Sequence, residues 1–159
     1  MKEKLNTIEE AGWSELAKYQ AAGWQFEWFA RDIDGHLAVL NSAGEGPIPG
    51  VIWNHLREYN ALATRINSLP TNESKLVFKG GGYCQDWLDY AGMGLFAFDY
   101  HDAKLGGYEL MARPTSPVNC SALGTDLVSW LPVLNIAFTR VTFIRDATVA
   151  GSIYRPFSS

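Results

Sequence analysis

The chain has 159 residues, of which 47% are hydrophobic, and a formal charge of −4 from 17 acids against 13 bases. That length supports one core without covalent staples, and the apolar fraction excludes broad disorder. The mild acidic balance argues against a nucleic-acid partner, which needs a basic stripe to displace counterions, and suits a basic partner.

The N-terminal segment from Met1 to Asn6 runs into mixed polar sequence without an apolar h-region, so no signal peptide is expected. No run approaches the ~18 apolar residues of a membrane span, and the expected location is the cytoplasm. Ser14 can cap a short helix reaching Ala22, with Gly23 as its stop. Trp24, Phe26, Trp28 and Ala30 then alternate with Gln25, Glu27, Phe29 and Arg31, the pattern of a strand with one mostly polar face. Asp34-Gly35 is the pair favoured in a type I′ turn, and His36 to Asn41 forms the returning strand.

The Gly44–Pro49 loop breaks regular structure with two glycines and two prolines. Pro49 opens a helix over 50–68 whose Ile52, Leu56, Tyr59, Ala63 and Ile66 fall on one stripe, ended by Leu69-Pro70. Gly80-Gly81-Gly82 interrupts the chain before a short helix from Gln85 to Tyr90. Gly94 to Tyr100 reads as a buried strand, His101 to Gly107 as a loop, and Tyr108 to Arg113 as the return strand stopped by Pro114. A helix over Thr125 to Leu131 and a last strand over Asn135 to Ile144 complete the chain. No linker, repeat or low-complexity block divides residues 1–159. Two hairpins with helices between them give a single α+β domain: an antiparallel sheet built from hairpins, with helices packed on one face.

Several strings invite chemistry. The Gly44–Gly50 loop is a poor phosphate cradle, because Pro47 and Pro49 delete two N–H donors and Glu45 repels an anion. Cys84, after the triple glycine and at a helix start, is the best candidate nucleophile, with His36, His55 or His101 as base. No local signature surrounds it, and the chain has no G-x-S-x-G elbow. Asp99 and His101, with His36 or Glu109, could ligate a metal, but the histidines lack any recognised metal spacing. No metal or cofactor is expected. Two cysteines, Cys84 and Cys120, do not make a disulfide framework in a chain of this size.

The string from Trp28 to Pro49 joins an aromatic strand, a D-x-D-G-H turn, a second strand and an S-A-G-x-G-P-I-P loop. With the F-A-F-D-Y and Y-E-L-x-A-R-P segments between Gly94 and Pro114, it resembles small bacterial proteins of the toxin-immunity kind. The resemblance covers about half the chain, and its motifs are structural. It implies a non-enzymatic domain that binds and neutralises a cognate protein toxin, with acids that can mimic phosphate toward a basic nuclease. The expected partner-binding residues are Glu45 in the proline loop, Asp99, Tyr100, His101 and Asp102 at the end of the second hairpin, and Asp86. The alternatives are a small cysteine hydrolase using Cys84 with a histidine base, and a small-ligand binder using the aromatic excess of six Trp, seven Tyr and eight Phe.

Overall fold

A computed structural model describes residues 7–77 and 85–154. In chain order its elements are α1 (Glu10–Lys18), β1 (Glu27–Arg31), β2 (Leu37–Asn41), a 3₁₀ turn (Gly50–Asn54), α2 (Leu56–Asn67) and β3 (Ser74–Leu76). There follow α3 (Gln85–Gly92), β4 (Phe96–Asp99), β5 (Gly107–Pro114), α4 (Thr125–Val128), β6 (Pro132–Val133), β7 (Phe143–Arg145), α5 (Asp146–Ala150) and β8 (Ile153–Tyr154). Three further short 3₁₀ turns begin at Ala103, Cys120 and Phe138. The fold is α+β, a single domain built on one sheet.

The eight strands run in the order β3-β5-β4-β2-β1-β6-β8, with β7 paired to β5 off that path. β3 and β7 share one edge of β5, the first against Ala112 to Pro114 and the second against Gly107 to Glu109. The sheet is mostly antiparallel, as expected, with two parallel pairs added. β2 runs parallel to β4, and β1 parallel to β6. The reason is the connection: the chain leaves β2, makes α2, β3 and α3, and returns as β4, a crossover long enough to bring it back in the same direction.

β1 and β2 pair antiparallel from Glu27↔Asn41 to Arg31↔Leu37. The loop between them has five residues rather than the two of a type I′ turn, and of Asp34 and Gly35 only Gly35 has positive φ, at 83°. Asp32 holds this loop. Its Oδ1 accepts from the backbone N–H of Asp34 (3.0 Å) and His36 (2.8 Å), and its Oδ2 from that of Phe138 (2.7 Å). The half-polar face expected for β1 is also corrected, because Trp28, Phe29, Ala30 and Arg31 are all buried. β1 lies inside the sheet, and both of its faces are covered. Phe29 meets Tyr59 of α2 on one side, while on the other Trp28 shares a face with Leu40 and Phe98, and Phe98 packs on Phe138. Burying side chains of this size contributes ~1.5–3 kcal/mol each.

The face under Trp28 is closed by a polar latch. Trp28 Nε1 donates to the Tyr108 hydroxyl (3.1 Å), which donates in turn to the Pro47 carbonyl (2.8 Å). The proline loop thereby lies on the sheet, and Gly46 fits there because it has no side chain: a Cβ would stand 2.5 Å from the Tyr108 oxygen and 2.9 Å from the Tyr100 ring. Further along, Pro49 leads into the 3₁₀ turn, not directly into the helix. His55, at φ −132° and ψ 47°, separates the two, and Ile52, Tyr59, Leu62, Ala63 and Ile66 form the buried stripe. Among the described residues, no helix is long and apolar enough to cross a membrane.

Candidate functional site

The site begins where α1 ends. Gln20 and Ala21 both adopt left-handed backbone, at φ 51° and 56°, a conformation that costs non-glycine residues of order 1 kcal/mol each. Local partners hold it. The Gln20 side-chain amide donates to the Ala17 carbonyl (2.8 Å) and accepts from Trp53 Nε1 (2.9 Å), and Ala21 is fully buried. The Gly23 N–H donates to the Gly44 carbonyl (2.9 Å), which ties this turn to the start of the proline loop. The consequence is an exposed Trp24, 59% accessible, two residues before the buried Phe26.

Trp24 stands at the mouth of a half-open cleft of about 460 Å³. Four segments build it: α1 with the residues before it, the chain entering β1, α2 and α3. Spacing explains which side chains face it. Gly12, Glu15 and Leu16 share one face of α1, and Asp86, Asp89 and Tyr90 share one face of α3, each set at steps of three and four residues. Glu27 opens β1 with its side chain toward the cleft, and Tyr59 comes from α2. Reciprocal bonds between the Ile8 backbone and the Asn60 side chain, both 2.8 Å, fix α1 against α2.

The lining is aromatic below and acidic around. Phe26 and Tyr59 stack with ring centroids 5.6 Å apart. The Tyr59 hydroxyl donates to the Glu27 carbonyl (2.5 Å), and the Tyr90 hydroxyl to the Glu27 carboxylate. Burial first, and then the Glu27 charge, push both phenols far above their usual range, so they stay neutral donors. Glu15, Glu27, Asp86 and Asp89 bring four carboxylates to the wall, and no Lys, Arg or His among the described residues lines it. Asp89 Oδ1 accepts from Gln85 (2.9 Å), whereas its buried Oδ2 has no hydrogen-bond partner among the described residues. A cleft of this kind attracts a cation that also carries apolar surface.

Of the six residues expected from sequence to meet a partner, the structure places only Asp86 in this cleft. The others gather at the C-terminal end of β4, where Asp99 lies two strands across from Glu27, and in the proline loop. Glu45 is exposed. Asp99 is only 9% accessible, beside Glu109 in the β4–β5 register. Burial raises its pKa first; the His101 charge and the Tyr100 N–H lower it, and the Glu109 charge raises it. Tyr100, expected on the surface, is 5% accessible instead; its ring packs on Tyr108, and its hydroxyl donates to Asp146 Oδ2 (3.0 Å). His101 Nε2 pairs with Glu109 Oε2 at 3.0 Å. Asp102 caps a 3₁₀ turn by accepting from the Lys104 N–H (2.9 Å). Sequence reasoning missed Glu15, Trp24, Glu27, Asp89 and Tyr90 as site residues. The acidic and aromatic face of α3, three and four residues on from Asp86, was the available signal.

Cys84 lies outside the described residues. Cys120 is buried, and its thiol is pushed up to about 12, by burial first, with Arg31 lowering it and Asp32 raising it again. It therefore carries almost no thiolate at neutral pH. The three histidines are dispersed: His36 lies at the first hairpin tip, His55 against Trp130, and His101 on Glu109. Of the metal grouping weighed from sequence, Asp99, His101 and Glu109 are neighbours where β4 ends and β5 begins, whereas His36 lies apart beside Asp32 and Asp34. That second trio has ligand atoms within 4.8 Å of one another, but both oxygens of Asp32 are already engaged by backbone N–H groups, which makes it a turn staple.

Comparison with protein-family models, with curated proteins and with solved structures finds no match to this chain.

Proposed function

We propose that this chain is a cytoplasmic, non-enzymatic protein-binding domain, an immunity-type inhibitor that neutralises a cognate bacterial toxin by engaging a basic part of its surface. The observation that carries this reading is the acidic and aromatic cleft, in which four carboxylates surround stacked rings behind an exposed tryptophan. Aromatic anchors supply binding energy at protein interfaces, and concentrated charge supplies fast, selective association. The Trp28–Pro49 motif string supports the immunity assignment through resemblance, and the net charge of −4 suits a basic toxin. Catalysis receives no comparable support: among the described residues, the one cysteine is buried with a raised pKa.

The test is coexpression. A toxin domain encoded immediately upstream of this chain should kill cells alone and spare them when the chain is present. Continued killing with the chain well expressed would overturn the immunity reading. One observation favours a second reading: a cleft of about 460 Å³ is within the size range of small-ligand sites. A thermal-shift screen in which a small cation, and no protein, raises the melting temperature would favour it.

A further inference from the structure

We infer that the cleft between α1, the start of β1, α2 and α3 receives an arginine side chain from the protein partner. The guanidinium would lie among Glu27, Asp86 and Asp89, and the stem would rest on the rings behind Trp24. This deepens the protein-binding reading and rests on it.

Three features select the ligand class. The first is charge. Carboxylates from three separate elements converge on one void, with no cation among the described lining residues to neutralise them. An anionic or nucleic-acid ligand would be repelled, and a cation is the complement. The second is unmet hydrogen bonding. Asp89 Oδ2 is out of contact with solvent and has no partner among the described residues, so a donor that turns this carboxylate into the cleft fills an acceptor the fold leaves empty. The third is shape. The floor is aromatic, with Phe26 and Tyr59 stacked, and Trp24 at the mouth is 59% accessible. A guanidinium is planar, has five donors in a fixed fork and stacks on ring faces; an ammonium is a compact, strongly hydrated point charge. Acids spread over several elements around rings match the fork better than the point.

The same features favour a side chain on a protein over a free small cation. Trp24 lines the mouth of the cleft and is still 59% accessible, so its outer part can touch whatever flanks the inserted group. A free guanidinium compound would leave that outer part uncovered.

The test is an NMR titration of the ¹⁵N-labelled full chain with a capped Gly-Arg-Gly peptide. Its lysine and citrulline counterparts and free methylguanidinium serve as comparisons. The readouts are the Trp24 indole N–H, assigned with Trp24→Phe, and the amides of Glu27 and Asp89. The arginine peptide should give saturable shifts at these positions that weaken with salt. The lysine peptide should bind several-fold more weakly, and the isosteric, uncharged citrulline peptide should give no saturable shift. The Glu27→Gln/Asp89→Asn pair should weaken the arginine peptide by roughly tenfold or more, since it removes charge-assisted hydrogen bonds. Asp86→Asn, on the half-buried surface of α3, gives a second variant should the pair disturb folding. Equal shifts with citrulline, or arginine-induced shifts confined to the β4–β5 end, would overturn the assignment. Methylguanidinium binding as tightly as the peptide would overturn the partner and leave a small-cation site. The two readings fail separately. A toxin neutralised equally well by the Glu27→Gln/Asp89→Asn chain removes the arginine assignment and keeps immunity. An arginine peptide bound in the cleft by a chain that rescues no cells removes immunity and keeps the cleft's preference.

Discussion

Where β4 ends and β5 begins, acidic side chains meet partners within the chain. Asp102 caps the turn before Lys104, Glu109 holds His101, and Asp146 receives the Tyr100 hydroxyl. Asp146 Oδ1, buried and without a partner among the described residues, is the exception. In the cleft, acids of the same types line a void behind an exposed tryptophan. The two regions have similar composition and different use of it. A carboxylate whose lone pairs are filled by its own fold contributes to stability; one left facing open space can contribute to recognition. Each region has one buried carboxylate oxygen without a partner among the described residues, Asp89 Oδ2 and Asp146 Oδ1, so what separates them is the void, which a count of acids does not contain.

Mutations should divide along this line. The largest effect on stability is expected at Gly46, where the proline loop rests on Tyr108 and Tyr100. Gly46→Ala forces a Cβ into those rings and should cost about 2 kcal/mol in denaturant melts, in the range of other overpacking changes. A loss near zero would mean that the loop is not seated on the sheet. Next, Tyr100→Phe removes the bond to Asp146 and should cost about 1–1.5 kcal/mol, with no change in partner affinity. Asp89→Asn should reverse the pattern. It keeps the oxygen that accepts from Gln85 and lowers repulsion with the neighbouring acids, so stability should stay within about 0.5 kcal/mol of wild type or rise slightly while binding falls.

The smallest effect is a pH slope at Asp99. Its folded pKa is raised by burial above the unfolded value, so the folded state holds its proton more tightly than the unfolded chain does. The stability linked to it is present in full below the unfolded carboxylate pKa of ~3.9 and is lost as pH rises through the folded value. Thermal melts across the acid range should show Asp99→Asn gaining on wild type as pH increases through that window. A difference constant with pH would show that this carboxyl titrates alike in both states.

The sequence was most readable where one face of an element is wet. The α2 stripe follows directly from it, while β4, buried along its whole length, was legible instead as an apolar run, and β5 by its stop at Pro114. Alternation misled where an element is buried on both sides. Phe29 and Arg31 occupy the face expected to be mostly polar, yet both are buried, because alternation loses its meaning in a central strand with layers above and below. Ser14 lies inside α1, not at its cap, and the helix ends four residues before Ala22 because Gln20 and Ala21 turn left-handed. In the last third, β6, β7 and β8 have only two or three residues each, too few to carry a period, and Phe138 sits in a 3₁₀ turn where a strand was expected. The cleft was hidden for a different reason. Its acids at 15, 27, 86 and 89 come from three elements whose juxtaposition is set by the crossover from β2 to β4, and local patterns do not reveal that connection.

The most direct measurement is calorimetric titration of the partner toxin domain into two double variants of the full chain. One is Glu27→Gln/Asp89→Asn in the cleft, and the other is Glu45→Gln/Asp102→Asn, outside the residues that line it. If recognition lies in the cleft, the first should weaken binding by roughly tenfold or more and the second by less than about twofold, as for exposed charges on a rim. The reverse order, with the cleft pair binding like wild type and the loop pair losing affinity, would contradict the account.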